Sequence, residues 1–257
     1  MPRFIHRVVA LSIVCAACAF GQQGSFAQIA YGGSWQTTLT LIDESDTLPA
    51  NVTLSFFGDD GSPLSAPVLG AGNTSVYTFT IPAGGLQSVV LFSSAPTTSQ
   101  GWASMNVASG IPVRGLGSFR FLLPSKTISE AVVPLSISGS AVCIVPSPSV
   151  PGAPSVILIP FDNTTGQYVT SVALANTTSG FLSVPIEFDD ESNHLLVKDT
   201  LILSARQHVA VVTPQAYPVL AGKKGVLRIR QSTEFVTVLG LLSNNTNAIT
   251  TIIPITN

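Results

Sequence analysis

Apolar and polar residues alternate along this chain almost without interruption, and the alternating segments recur in the same order on either side of a proline-rich stretch. Trp35-Gln-Thr-Thr-Leu-Thr-Leu, followed closely by Asp43, is answered by Tyr168-Val-Thr-Ser-Val-Ala-Leu, followed by Asn176; Trp35, Thr37, Leu39 and Leu41 match Tyr168, Thr170, Val172 and Leu174. Val52-Thr-Leu-Ser-Phe-Phe-Gly-Asp-Asp is answered by Val184-Pro-Ile-Glu-Phe-Asp-Asp, and Gly101-Trp-Ala-Ser-Met-Asn-Val by Gly225-Val-Leu-Arg-Ile-Arg-Gln. Gly115-Leu-Gly-Ser-Phe-Arg-Phe corresponds to Val238-Leu-Gly-Leu-Leu-Ser-Asn, and Val132-Val-Pro-Leu to Ile252-Ile-Pro-Ile. A side-chain period of two places successive residues on opposite faces, so each segment predicts a half-buried β-strand. Five ordered matches predict an internal duplication.

Between the copies lies Ser138 to Pro154, with Pro146, Pro148, Pro151 and Pro154 among nine residues. Proline fixes φ and donates no backbone hydrogen bond, so this stretch reads as a semi-rigid extended linker. The expected organisation is a leader over 1–27, a first β-sandwich over 28–137, the linker over 138–154 and a second β-sandwich over 155–257. Strands are predicted at 35–42, 51–57, 76–80, 87–92, 102–107, 113–121 and 130–136. In the second copy they are predicted at 156–161, 168–175, 182–188, 195–203, 208–212, 225–230, 235–241 and 249–255. Turns such as Asp59-Asp60-Gly61-Ser62-Pro63 and Pro82-Ala83-Gly84-Gly85 separate them.

About seven short strands in about a hundred residues suit an antiparallel sandwich, so the fold class is all-β, two tandem sandwiches. The pattern resembles bacterial immunoglobulin-like or fibronectin-like modules, and a tandem pair behind a leader is similar to secreted bacterial proteins of that type. The Cys-Trp-Cys framework of immunoglobulin domains is missing, so the resemblance assigns no residue a role, and the fold alone fixes no function. A membrane barrel would want aromatic girdles at both strand ends; here aromatics are 7% of residues and several stand singly within apolar strands.

Arg3 and Arg7 precede an apolar run from Val8 to Phe20, the layout of a secretory leader, and Ser25-Phe26-Ala27 offers a small-x-small cleavage site. Release at Gln28 would leave nine basic against thirteen acidic residues. The alternative is lipid attachment at Cys18, against which stands the absence of a branched residue three positions earlier. Past the leader Cys143 is the lone cysteine, so no internal disulfide is expected. Charged residues are only 9% of the chain, against roughly 25% in an ordinary soluble protein, which leaves Ser, Thr, Asn and Gln to cover the surface. The acidic balance, with no basic stripe among exposed aromatics, argues against nucleic-acid binding. After the leader, no apolar run is long enough for a spanning helix.

Asp59 and Asp60, and Asp189, Asp190 and Glu191, sit in turns that look equivalent in the two copies. Clustered carboxylates on a loop are what calcium requires, although neither stretch follows a calcium-loop motif. Lys223, Lys224, Arg228 and Arg230 form a cationic run with both arginines on one strand face, opposite Leu227 and Ile229, a candidate patch for an anionic polymer. His194 and His208 with Asp199 and Ser204 permit a hydrolytic triad only on paper, because alternation scatters them and no nucleophile elbow is present. Five Asn-x-Ser/Thr triplets, beginning at Asn51, Asn73, Asn163, Asn176 and Asn244, follow from composition. The expectation is therefore a non-enzymatic protein outside the cytoplasm, secreted, periplasmic or on the cell surface, needing no cofactor. Its role would be structural, adhesive or ligand-binding, with an envelope polymer or itself as partner through exposed sheet edges. The alternative is a carbohydrate-binding module using Trp35, Trp102 and Tyr168.

Overall fold

The computed structural model describes residues 21–108, 110–122, 128–138, 156–246 and 248–256. The apolar run expected to be a leader, with Cys18, and the stretch from residue 139 expected to be a linker, with Cys143, lie outside the described residues. The first half contains β1 (Gln22–Tyr31), β2 (Trp35–Asp43), β3 (Ala50–Gly58), β4 (Ala66–Val68), β5 (Gly72–Thr74), β6 (Val76–Ile81), β7 (Leu86–Phe92), β8 (Ser99–Val107), β9 (Val113–Leu122), β10 (Ile128–Pro134) and β11 (Ser136–Ser138). The second contains β12 (Ile157–Asp162), β13 (Tyr168–Asn176), β14 (Leu182–Asp190), β15 (Leu195–Leu203) and β16 (His208–Val212). A helical turn α1 (Thr213–Ala216) and a 3-10 turn (Pro218–Leu220) then lead to β17 (Lys224–Ile229), β18 (Val236–Asn244), β19 (Ile249–Ile252) and β20 (Ile255–Thr256).

These strands make four antiparallel sheets. In the first half, sheet I runs β11-β1-β8-β3-β6 and sheet II runs β10-β9-β2-β7-β4-β5. In the second, sheet III runs β15-β14-β17-β12-β20 and sheet IV runs β16-β13-β18-β19. Sheets I and II enclose one apolar core that includes Phe26, Leu39, Leu54, Phe56 and Met105. Sheets III and IV enclose another, around Ile159, Val172, Phe188 and Leu227. Full burial of such side chains is worth about 1.5–3 kcal/mol each, and alternation along each strand delivers one inward side chain in two.

The strand orders of the two halves coincide element for element. β1, β2 and β3 take the places of β12, β13 and β14; β6 to β11 take those of β15 to β20; the β4–β5 hairpin is peculiar to the first half. Register agrees as well: Trp35 faces Phe121 and Asp43 faces Val113, just as Tyr168 faces Asn244 and Asn176 faces Val236. The duplicated threonine shows why the match is physical. Buried Thr37 accepts the N–H of Ala30 (2.9 Å) and donates to its carbonyl (2.7 Å); Thr170 does the same to Asp162 (2.8 and 3.0 Å). A hydroxyl at a core position thus clips the first strand of each half to the second and leaves no polar atom unpaired. Gly101 and Gly225 repeat another constraint, since a Cβ at either would collide with a backbone carbonyl, that of Phe57 or of Asp189.

The register corrects three sequence expectations. Phe57 and Gly58, not Asp59 and Asp60, occupy the places of Asp189 and Asp190, so the two acidic stretches are offset by two residues. Val133 rather than Val132 matches Ile252, because Gly117 pairs with Val133 and Gly240 with Ile252. Most consequentially, β1 crosses the boundary expected at Ala27. Ser25, Phe26 and Ala27 are buried inside it, where it pairs with β11 on one side and β8 on the other. Strand structure therefore starts at Gln22, six residues ahead of the start expected at Gln28, and the last residues of the expected leader belong to this strand.

Candidate functional site

The strongest candidate site is the surface where the halves meet. A strand covered on one side should bury alternate residues, yet β13 buries Val172 to Asn176 consecutively and β18 buries Val236 to Gly240 consecutively. Val172, Leu174, Val236 and Val238 enter the second core, whereas Ala173 and Leu239 enter the first. The outer face of sheet IV is thus packed over the open side of the first half, along β1, β10 and β11. Thr251 on β19 caps the free edge of β10: its hydroxyl accepts the N–H of Val132 (2.9 Å) and donates to the carbonyl of the same residue (2.6 Å). Thr237 and Ser136 hydroxyls lie 3.3 Å apart.

The turn between β15 and β16 forms the second contact. Arg206 holds φ at 57°, a left-handed conformation that costs a residue with a Cβ roughly 1–2 kcal/mol. In that pose its carbonyl accepts the indole N–H of fully buried Trp102 (2.8 Å), and its guanidinium carbon stands 4.7 Å from the centre of the Phe57 ring. Gly61 lets the turn approach, since a Cβ there would strike the Ala205 carbonyl. Beside it, His208, whose side chain is wholly buried, places Nδ1 2.7 Å from Asp59 Oδ1. Partial burial pushes the Asp59 carboxyl up, but the bonds from His208 and Gln100 outweigh this and hold it below the usual carboxylate range.

An open cleft of about 370 Å³ runs along the junction, walled by Ala30, Trp35 and Phe119 from the first half and Ala173, Leu241 and Ile249 from the second. Gln28 and Gln100 are among its polar groups, and its lining includes no acidic or basic side chain. Such a cleft can take up an apolar group, and it brings no acid and base together.

The residues singled out by sequence are dispersed. Asp59 joins the junction. Asp60 accepts the N–H and hydroxyl of Ser62 (2.9 and 2.6 Å), which lower its pKa. Asp190 closes the turn before β15 by accepting N–H groups from His194 and Ser192, which lower its pKa likewise. Asp189 binds Arg228 (2.5 Å), and Glu191 is exposed. Among the described residues no three His, Cys, Asp or Glu side chains converge to hold a metal ion. The cationic run is largely neutralised on sheet III: Arg228 meets Asp189, Arg230 meets Glu187 (2.6 Å) and Lys224 meets Asp162 (3.2 Å), while Lys223 lends its carbonyl to Asn163 (2.8 Å). Of the paper triad, His208 pairs with Asp59, Asp199 accepts the Tyr217 hydroxyl (2.8 Å), and His194 sits beside Asp190. Trp102 is fully buried, Trp35 leans on Phe119 and Phe121, and Tyr168 alone of the three candidates is exposed. Asn163 and Asn176, two of the Asn-x-Ser/Thr residues, are buried.

Sequence reasoning missed Arg206 and Thr251. The signal for Arg206 was available, because Gly84 occupies the same turn in the first half at φ 64°. An arginine where its counterpart is a glycine marks a conformation kept for a purpose. No protein-family description, curated protein or solved structure matches this chain.

Proposed function

We propose that this chain is a non-enzymatic structural protein, made of two copies of one immunoglobulin-like module, that works outside the cytoplasm by assembling through its sheet faces. One observation carries the reading. The outer face of sheet II exposes Ile42, Leu86, Leu116 and Val132 at the very positions whose counterparts on sheet IV form the docking surface of the junction. A sheet that is half-buried should show polar residues outward; here the four apolar residues stand among Thr40, Ser88 and the Arg120–Glu130 pair, and their coincidence with the junction positions marks a contact surface. The disposition of charge supports the same reading, since the ionisable side chains described above are engaged in turns, strand ladders and the junction.

Sedimentation velocity over a concentration series tests it. The expected result is a concentration-dependent rise in sedimentation coefficient that Leu116→Asp abolishes without loss of thermal stability. A chain that stays monomeric at every accessible concentration and in the presence of envelope material would refute it.

A further inference from the structure

We infer that the partner of sheet II is a second copy of this chain, docked through the edge where β19 passes into β20, so that molecules join head to tail. The inference rests on the assembly function proposed above and names its partner and orientation.

The junction within the chain has a giving surface, the outer face of sheet IV, and a receiving surface, the open side of the first half where β10 passes into β11. Each has a counterpart on the opposite half, and among the described residues both counterparts keep exposed apolar side chains, although the Val132 backbone is already capped by Thr251. On the giving side, Ala175, Leu239, His208 and Thr251 correspond to Ile42, Leu116, Leu86 and Val132. These four side chains are 44%, 46%, 62% and 45% exposed. On the receiving side, Pro134 and Ser136 correspond to Ile253 and Ile255. Those isoleucines are 71% and 56% exposed. Single exposed apolar residues are ordinary on any protein. Here they collect at positions equivalent to the two sides of an interface that the chain already builds; larger apolar residues replace Ala175 and Ser136 there, and an isosteric valine replaces Thr251.

Because the two counterpart surfaces differ and lie on opposite halves, the contact is heterologous, and each added molecule leaves one surface of each kind open. The product is a head-to-tail series, open or closed into a ring, rather than a two-fold pair. The outer face of sheet III directs growth along that series. Its ladder of Lys198, Glu187, Arg230, Arg228 and Asp189 runs across the middle of the sheet and disfavours sideways association, whereas sheet II carries the separate pairs Arg114–Glu44 and Arg120–Glu130 beside its apolar residues.

Complementation between two blocked variants tests the orientation. Leu116→Asp blocks the giving face, and the double substitution Ile253→Asp with Ile255→Asp blocks the receiving edge; these side chains are exposed, so unchanged melting temperatures verify the fold. The wild-type chain should form a ladder of oligomers in sedimentation velocity, and each variant alone should remain monomeric. An equimolar mixture of the two should form a heterodimer and nothing larger, since every heterodimer has used its two competent surfaces. If the edge variant still self-associates while the face variant does not, sheet II pairs with itself; head-to-tail joining is then wrong although assembly stands. A monomeric wild type overturns both readings. Association indifferent to every substitution, as through the apolar N-terminal run, overturns the proposal as well.

Discussion

Gly84 and Arg206 stand at the same place in the same turn. Each has a positive φ, each donates its N–H to the equivalent carbonyl, Ser45 or Thr178, and each sits in a turn closed by a bond to residue 82 or residue 204. The glycine leaves its side of the molecule bare, whereas the arginine reaches Trp102 and Phe57 and locks one half to the other. Two residues later the contrast repeats, for exposed Leu86 stands where His208 is buried against Asp59. The backbone of the two halves is one scaffold; a few outward side chains decide which face is closed within the molecule and which is left to a partner.

The flat faces teach the same lesson. On sheet I, cross-strand positions pair hydroxyl and amide groups, Thr53 with Thr78 (3.2 Å) and Thr80 with Asn51 (2.8 Å). On sheet III, the place of Ser55 is taken by Glu187, which holds Arg230 and Lys198. Each such exposed pair is worth only about 0.2–1 kcal/mol, so the difference lies in what each face admits rather than in stability.

The comparison breaks most completely by shortening the first half alone. A chain starting at Gln28 loses Phe26 and most of the pairing of β1 with β8 and β11, and should show no cooperative unfolding by circular dichroism; a chain starting at Gly21 should melt normally. Trp102, whose counterpart is Val226, is next: Trp102→Ala should cost about 3–5 kcal/mol in chemical denaturation. The shared scaffold predicts equality for the glycines. Gly101→Ala and Gly225→Ala should each cost about 3 kcal/mol, and a difference of more than about half of that would mean the two crossings are not mechanically alike. Asp59→Ala strands the buried His208 ring and should cost about 1–2 kcal/mol. The native carboxyl is held below its ordinary value, so its contribution is present above about pH 4 and fades as pH falls through the depressed value; Asp59→Asn should flatten that part of the stability curve. The smallest effect concerns the α1 segment, which has no counterpart in the first half. Burial, then the Asp199 carboxylate, pushes Tyr217 up to about 12. Its contribution is complete below about pH 10 and lost as pH rises towards 12. In a phenolate absorbance titration, Asp199→Asn should advance this step and leave the late step of Tyr31, raised mainly by burial, unmoved.

Alternation made most strands readable. Thr37 and Thr170 were aligned by pattern alone, and the structure gives them the same clip. β1 was the exception, because residues 22–27 fell within the stretch read as a leader and no strand was sought there. The duplication itself could have revealed it, since the second half opens with a strand just ahead of Tyr168 and the first should have one just ahead of Trp35. The β4–β5 hairpin was unreadable for another reason: at three residues per strand there is no period to detect.

The sequence by itself determined the all-β class, the duplicated order of strands and the inward face of nearly every strand, because these follow from a two-residue period and from the local freedom of glycine and proline. Only the tertiary structure decided that sheet IV closes on the first half, that Asp59 is a partner for His208 rather than a turn acid, and that the cations of β17 are matched by acids on β12 and β14. Those outcomes depend on outward residues far apart in the chain meeting across a surface. Periodicity says which way a side chain points, but not what it will find there.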